Sequence, residues 1–414
     1  MQHPKNPVSN KEFIFLMALL MSLVALAIDV MLPALDQIGS SLGVIDPNNN
    51  QLVISTIFLG MAFGLMLYGP VSDSFGRKKA IYLGIGIFLI GDLISLYSGN
   101  FTFMLIGRLC QGFGAAACRV VTLAMIRDKF SGREMGRVMS LIMVFFVLVP
   151  ALAPTLGQAV LLFSDWRGIF WLLLAAGLTG VLWLHFRQPE TLVKEKRLKF
   201  SCSTIVAGIK ETLANKVARF YMFAAGIIFG SFIGYLSSAQ QIFQNEYQLG
   251  EAFPLYFGAL ALAIGLSSLV NSSLVMRFPM ETLCFAALGC LSVSSIGFFF
   301  YAQGAAGYPP LFMLMAYLAV TFFCFGLLFG NLNTLAIQPL GHIAGVATSV
   351  ISSVQTLMSV AVGTLIGQAF DGTVLPLVFG FLACSLCALG ILIYVRKSAM
   401  APELPESAVE SDYR

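Results

Sequence analysis

The sequence predicts an all-α membrane protein with twelve transmembrane helices in two pseudo-symmetric six-helix bundles. Three observations predict it: an apolar composition with little charge, twelve apolar runs of spanning length, and one long polar stretch midway. Of the 414 residues, 58% are apolar and only 11% are charged, against about 25% charged in an ordinary soluble domain. Twenty acids and 24 bases are too few to cover a soluble surface of this size. The composition argues against a secreted disulfide scaffold, a disordered chain and a nucleic-acid binder. Twelve helices of about 20 apolar residues would use about 240, which is what 58% of 414 supplies.

The runs fall at about 13–35, 51–71, 80–98, 101–126, 135–163, 168–186, 220–243, 253–276, 282–302, 310–337, 343–370 and 374–395. Most are long enough to cross about 30 Å at ~1.5 Å per residue. Lys5 and Lys11 precede the first run in the manner of a signal peptide. That run is too long for a signal core and eleven more follow, so it reads as a retained helix. With the N-terminus cytoplasmic, 21 of the 24 bases lie on the cytoplasmic side. One, Arg167, lies opposite, and Arg108 and Arg119 lie inside spans. Bases collect on the inner side of membrane proteins, so both termini are expected inside.

The stretch 187–219, with Lys194, Glu195, Lys196, Arg197 and Lys199, separates six spans from six and suits an anionic membrane surface. The expected organisation is a tail (1–12), a bundle (13–186), a cytoplasmic linker (187–219), a second bundle (220–395) and an acidic, disordered tail (396–414). The halves echo each other. Leu156-Gly157-Gln158-Ala159 maps on Ile366-Gly367-Gln368-Ala369, and Thr122-Leu123-Ala124 maps on Thr334-Leu335-Ala336. Parallel six-helix repeats are one known transporter architecture.

Between spans 2 and 3 runs Gly69-Pro70-Val71-Ser72-Asp73-Ser74-Phe75-Gly76-Arg77-Lys78-Lys79. Gly-Pro closes one helix, Asp73 is placed to cap or pair, and Gly76 permits a tight turn. Span 4 reads Gly107-Arg108-Leu109-Cys110-Gln111-Gly112-Phe113-Gly114-Ala115-Ala116-Ala117. An arginine inside a span costs at least about 2.5–3.5 kcal/mol, so it has a partner or faces water, and small residues let helices approach. Span 5 holds Pro150 and Pro154, followed by Gly157, a kink that can serve as a hinge. Span 1 holds Ala27-Ile28-Asp29-Val30-Met31-Leu32-Pro33-Ala34.

These elements resemble the major facilitator superfamily. The 69–79 loop is similar to its G-x-L-A-D-R-x-G-R-K motif, with Val71 and Ser72 at the Leu-Ala positions and Ser74 in place of Arg. Span 4 is similar to its R-x-x-Q-G-x-G-A-A element. Span 5 resembles the G-P-x-x-G-G element of drug antiporters, with Ala153 and Gln158 departing from it. Span 1 resembles the I-D-M-Y-L-P-A element of the bicyclomycin-resistance-type drug:proton antiporters. Met125-Ile126-Arg127-Asp128, Asp165-Trp166-Arg167-Gly168-Ile169-Phe170 and Ala344-Gly345-Val346-Ala347-Thr348-Ser349 agree with that group. The resemblance implies a proton-driven exporter of small drug-like molecules in the bacterial cytoplasmic membrane. It leaves the substrate open.

Depth arithmetic adds to this. Asp29 lies about 25 Å into span 1 and Arg108 about 10 Å below the outer start of span 4, so the two are level and a contact is allowed. Asp29, with Arg108, is the candidate for carrying the proton; Asp92 in span 3 is also intramembrane. Arg119 lies three turns below Arg108 on about the same face: facing the central cavity it suits substrates with an acceptor or anionic group, and equally it reads as an arginine that snorkels or pairs with the loop motif near the cytoplasmic end. The second half has no charge deep in its spans and offers amides: Gln240, Gln241, Asn331, Asn333 and Gln355. Arg119, Gln240, Asn331, Asn333 and Gln355 are the candidates for binding substrate. Gly69, Asp73, Gly76, Arg77 and Lys78 are the candidate gating loop, and Pro150, Pro154 and Gly157 the candidate hinge.

Seven of the eight cysteines lie in apolar runs and read as reduced packing residues. The three histidines are scattered, so neither a metal site nor a clustered enzyme site can be built. No Walker A loop is present, so the proton gradient is the expected drive, with no cofactor. The expected partners are a small molecule, protons and lipid, and a monomer suffices. A proton-coupled importer or uniporter of the same fold suits these residues too.

Overall fold

In a membrane, an apolar run satisfies its backbone polar groups internally only as a helix or a closed barrel. The computed structural model describes residues 9–400, and every regular element within them is helical. Twelve long helices match the twelve runs in order: α1 Asn10–Asp29, α2 Leu52–Phe75, α3 Arg77–Leu96, α4 Phe101–Lys129, α5 Gly132–Leu161, α6 Arg167–Arg187, α7 Lys216–Gln240, α8 Phe253–Leu274, α9 Met280–Gly304, α10 Leu311–Ile337, α11 Ala344–Gln368 and α12 Leu375–Met400. Ten stretches of the described residues are long and apolar enough to span a membrane, and one of these, Leu311–Gln368, holds both α10 and α11. Helix α5 opens with Arg133, Glu134 and Arg137 in its first turns and is apolar from Val138 to Leu161 but for Ser140, Thr155 and Gln158.

Several boundaries carry their own chemistry. Ser9, Asn100 and Asn215 cap α1, α4 and α7 by accepting from the backbone N–H of Glu12, Phe103 and Ala218, which relieves the orphan donors of each first turn. Pro33 sits in the tight turn Leu32–Ala34 that follows α1. Part of the 187–219 stretch is ordered as a helix, Cys202–Ala214. Its residues 205, 208, 209, 212 and 213 turn inward at helical spacing, and Gly208 meets Val346 at the start of α11. The acidic tail beyond residue 400 and the first eight residues lie outside the described part.

The packing repeats with a shift of six. Helix α4 packs on α1, α2 and α3, and α10 packs on α7, α8 and α9; α3 meets α6 as α9 meets α12. Between the halves, α2 packs on α11 and α5 on α8, two contacts that exchange under the same shift. The halves therefore meet along two equivalent seams. Helices α1, α4, α7 and α10 carry buried polar groups, Asp29, Arg108, Gln111, Thr122, Gln240 and Asn331 among them.

Candidate functional site

The bases mark one end of the helices, so the two ends are here called base-rich and base-poor. Within α4, Arg108 is fully buried. Its Nη2 donates to the Ala27 carbonyl at 2.8 Å, its Nε to the Val53 carbonyl at 3.2 Å, and its Nη1 to Gln111 Oε1 at 2.8 Å. Gln111 Nε2 then donates to Asp92 Oδ1 at 2.5 Å. A polar chain thus crosses from α3 through α4 to α1 and α2, and Asp92 is the acid linked to Arg108, through Gln111.

The structure does not bring Asp29 and Arg108 together. The guanidinium stops at the carbonyl two residues before Asp29. Depth arithmetic placed them at one level, but depth does not fix which way a side chain turns around its helix. Asp29 is 6% exposed and, among the described residues, has no hydrogen bond or ion pair. Tyr235 of α7 lies within electrostatic reach of it, and among the described residues the Tyr235 hydroxyl has no hydrogen-bond partner. Asp92 and Gln111, which complete the Arg108 chain, were visible in the sequence only as polar residues in apolar runs.

Arg119 is half-buried and has no hydrogen bond or ion pair among the described residues. The candidate amides divide. Asn331 exchanges hydrogen bonds of 2.9 and 3.2 Å with Asn271 of α8. Asn333 donates to the Phe329 carbonyl at 3.1 Å. Gln355 is 7% exposed, and its side-chain nitrogen has no acceptor among the described residues. Gln240 is elsewhere, at the base-poor end of α7, where it donates to Asp36 Oδ2 at 2.8 Å.

That end holds a polar latch between the halves. Asp36 also accepts from Asn245 at 3.0 Å and from Asn50 at 3.3 Å. Gln51 donates to Gln241 at 2.5 Å, and Gln241 to Asn48 at 3.0 Å. Asn48 donates to the Phe370 carbonyl at 2.9 Å, and Gln368 returns a 2.9 Å bond to the Asn48 carbonyl. The amide-rich run Asn48-Asn49-Asn50-Gln51 was the signal for it.

At the base-rich end, Gly76 has φ +100°, a left-handed conformation that favours glycine. A Cβ there would lie 2.6 Å from Glu190 Oε2. Glu190 needs that space, because its carboxylate accepts from the backbone N–H of Arg77 at 2.9 Å and of Lys78 at 3.2 Å. It caps α3 at the positive end of the helix dipole. The Arg77 side chain donates to Asp128 at 2.9 and 3.3 Å and to Ser72 Oγ at 2.8 Å, and pairs with Asp73. Lys78 Nζ donates to the His185 carbonyl at 3.3 Å. Gly69 faces Ser349 of α11. Pro150 and Pro154 lie inside the single helix α5, and Gly157 sits against the Val30 carbonyl, where a side chain would collide.

The chain compares with known proteins along nearly its whole length. The Major Facilitator Superfamily model matches residues 14–364. YdgK of Bacillus subtilis, an uncharacterized MFS-type transporter, is 30% identical over 87% of this chain and 90% of its own. A bicyclomycin resistance protein homolog of Haemophilus influenzae is 30% identical over 90% of this chain and 93% of its own. The xylose transporter XylE of E. coli, in a partially occluded inward open conformation, superposes with a TM-score of 0.69 at 14% identity, covering 95% of this chain and 98% of its own. That last likeness is one of fold.

Proposed function

The chain belongs to the Major Facilitator Superfamily and is a multi-pass transporter, not an enzyme, and from that premise we propose that it exports small amphipathic, drug-like molecules in exchange for protons. The similarity to a bicyclomycin resistance homolog supports the substrate class. In this reading the base-rich end is cytoplasmic, both termini are inside, and the membrane is a bacterial inner membrane. The protein works as a monomer, with no cofactor and no nucleic-acid partner. Residues 13–186 and 220–395 are the two rocking bundles, joined by 187–219, with the 69–78 loop as a gate and Pro150, Pro154 and Gly157 as a flexible point. Arg119, Asn331, Asn333 and Gln355 belong to the substrate region, and Gln240 to the base-poor gate.

The observation that carries the proton reading is the state of Asp29: a buried carboxyl without a partner among the described residues, in a bundle whose Arg108 is linked to Asp92 through Gln111. Such a group is free to take up and release a proton as the cavity changes sides, whereas a carboxylate locked to an arginine is not. Arg108 fixes the end of α1 through the Ala27 carbonyl and so positions Asp29. The energy suffices. One charge crossing 100 mV yields about 2.3 kcal/mol and one pH unit about 1.4 kcal/mol. Together they hold roughly a 500-fold gradient of a neutral substrate.

Proteoliposome flux tests the reading. An antiporter accumulates substrate under an inside-acid gradient, a symporter under an inside-alkaline one, and a uniporter of neutral solutes responds to neither. Wild-type protein is expected to accumulate substrate when the inside is acid, and Asp29→Asn to equilibrate it without concentrating it. Uphill transport by a folded Asp29→Asn protein would overturn Asp29 as carrier.

A further inference from the structure

We propose that the Tyr235 hydroxyl is the donor that holds ionised Asp29 across the two halves, so that loss of the proton keeps the base-poor ends joined. This rests on the reading of Asp29 as proton carrier and adds the positioning residue that ties its charge to conformation. A buried polar group without a hydrogen bond is costly and calls for a partner. Two such groups stand close together here, one from each half. Asp29 is the last residue of α1 and is buried. Tyr235 lies within two turns of the end of α7 and is fully buried. Among the described residues the Tyr235 hydroxyl has no hydrogen-bond partner, and neither has the Asp29 carboxyl.

Packing puts both groups on the boundary between the halves. The turn Leu32–Ala34, just past Asp29, packs on α7, and Asp29 lies within electrostatic reach of Tyr235. Aromatic neighbours fix the tyrosine ring. It stands edge-on to Phe322 with centroids 4.7 Å apart, stacks on Phe257 at 5.9 Å and meets Phe243 edge-on at 6.5 Å. None of these rings offers an oxygen to the hydroxyl; Asp29 does.

The other charged groups on the elements around the pair are engaged or distant. Arg108 of α4 donates to the Ala27 and Val53 carbonyls and to Gln111. Helices α5 and α6 bring charge to α1 at the base-rich end, Glu134 beside Asn10 and Arg187 on Glu12, and Arg167 pairs with Asp165. Helices α8, α10 and α11 carry no Asp, Glu, Lys, Arg or His; α7 has Lys216 and Arg219 in its first turn, and α12 has Arg396 and Lys397 near its end. Past the ends of α1 and α7, Asp36 is held by amides and Glu246 lies beside Gly372. A hydrogen bond to a carboxylate is stronger than one to a neutral carboxyl. Ionised Asp29 therefore favours the joined arrangement more than neutral Asp29 does. An empty carrier that has lost its proton is kept from opening toward the base-poor side, the slip that an exchanger must prevent.

Full-length protein with spin labels on Ser40 and Glu251, in detergent and without substrate or proton gradient, tests this. The share of the longer distance should fall from mildly acidic to mildly alkaline buffer, as Asp29 loses its proton. Tyr235→Phe keeps the ring and its aromatic contacts and removes the donor. In alkaline buffer it should raise the open-to-joined ratio by about 10-fold or more and flatten the pH response. Asp29→Asn, with a neutral acceptor, should do the same, and the double variant should add nothing further, the signature of one shared contact. A merely structural hydroxyl would instead shift the ratio equally at every pH and add to the effect of Asp29→Asn. That outcome would overturn the proposal, as would a wild-type ratio indifferent to pH or a pH response that survives in either single variant. The two readings fail separately. Uphill flux by Asp29→Asn removes the carrier and leaves the cycle to report the contact, whereas additive variants remove the contact and leave the carrier.

Discussion

At the base-rich end one buried arginine gathers two aspartates and a serine hydroxyl, whereas at the base-poor end one aspartate gathers three amides and no cation. The first cluster stays within one half and its linker: Ser72, Asp73, Arg77, Asp128 and Glu190 all precede residue 200. The second joins residues 36–51 to the ends of α7 and α11, so it crosses between halves. Breaking a buried ion pair by removing one partner costs about 3–5 kcal/mol, while a hydrogen bond contributes about 0.5–1.5 kcal/mol between neutral groups and about 1.5–3 kcal/mol to a charged one. A contact that must open in every transport cycle is better made of the weaker bonds, and a brace of the stronger. The ionic cluster is suited to keep the 69–78 loop rigid on its own bundle, so that the proposed gate moves as one piece with that bundle, and the amide latch joins the halves at the base-poor end in this conformation.

That contrast breaks if the two clusters respond alike. The largest effect is expected from Arg77→Ala, which leaves Asp128 and Asp73 without their cation. It should lower stability by about 3–5 kcal/mol, read as a lower midpoint of thermal unfolding in detergent. Asp73→Asn should cost far less, since the Asp73 side chain is 43% exposed and exposed pairs contribute about 0–1 kcal/mol. An Arg77→Ala protein as stable as wild type would end the brace assignment.

Next in size is Asp36→Ala, which removes three hydrogen bonds to a carboxylate. A shift of about 1–3 kcal/mol toward the open base-poor end is expected, roughly a 5- to 150-fold change in the open-to-closed ratio. Spin labels on Ser40 and Glu251 would report it as a gain in the longer distance. An unchanged distance distribution would place the gate elsewhere. The smallest effect, about 1 kcal/mol of coupling, is expected in a double-mutant cycle of Gln51→Ala and Gln241→Ala followed by the same labels. Zero coupling would mean that the 2.5 Å contact does not contribute to closure.

How far these features were legible depended on what each required. Helix positions were legible because an apolar run of spanning length has few alternatives in lipid, and all twelve runs are helices. The order within Cys202–Ala214 was passed over because its apolar positions are interrupted by lysine and threonine in a charged stretch. The Arg77 loop was legible as a motif, but Glu190, over 100 residues away, was not. The partner of Arg108 was misplaced: sequence gives depth along a helix and leaves the facing of Asp29 and Asp92 undetermined. The latch was missed because an amide run in a short loop reads first as a turn. Arg119 stood out from the sequence, but only three-dimensional packing could show that no side chain of the described chain answers it.

The central claim is that two intramembrane carboxyls have different tasks, with Asp92 balancing Arg108 and Asp29 carrying the proton. Proton release on substrate binding, followed with a pH indicator in weakly buffered detergent solution, tests it most directly. Wild type and Asp92→Asn should both release protons when a transported substrate is added, with Asp92→Asn also less stable. Asp29→Asn should bind substrate and release none. Release that survives in Asp29→Asn and vanishes in Asp92→Asn would contradict the account and exchange the two roles.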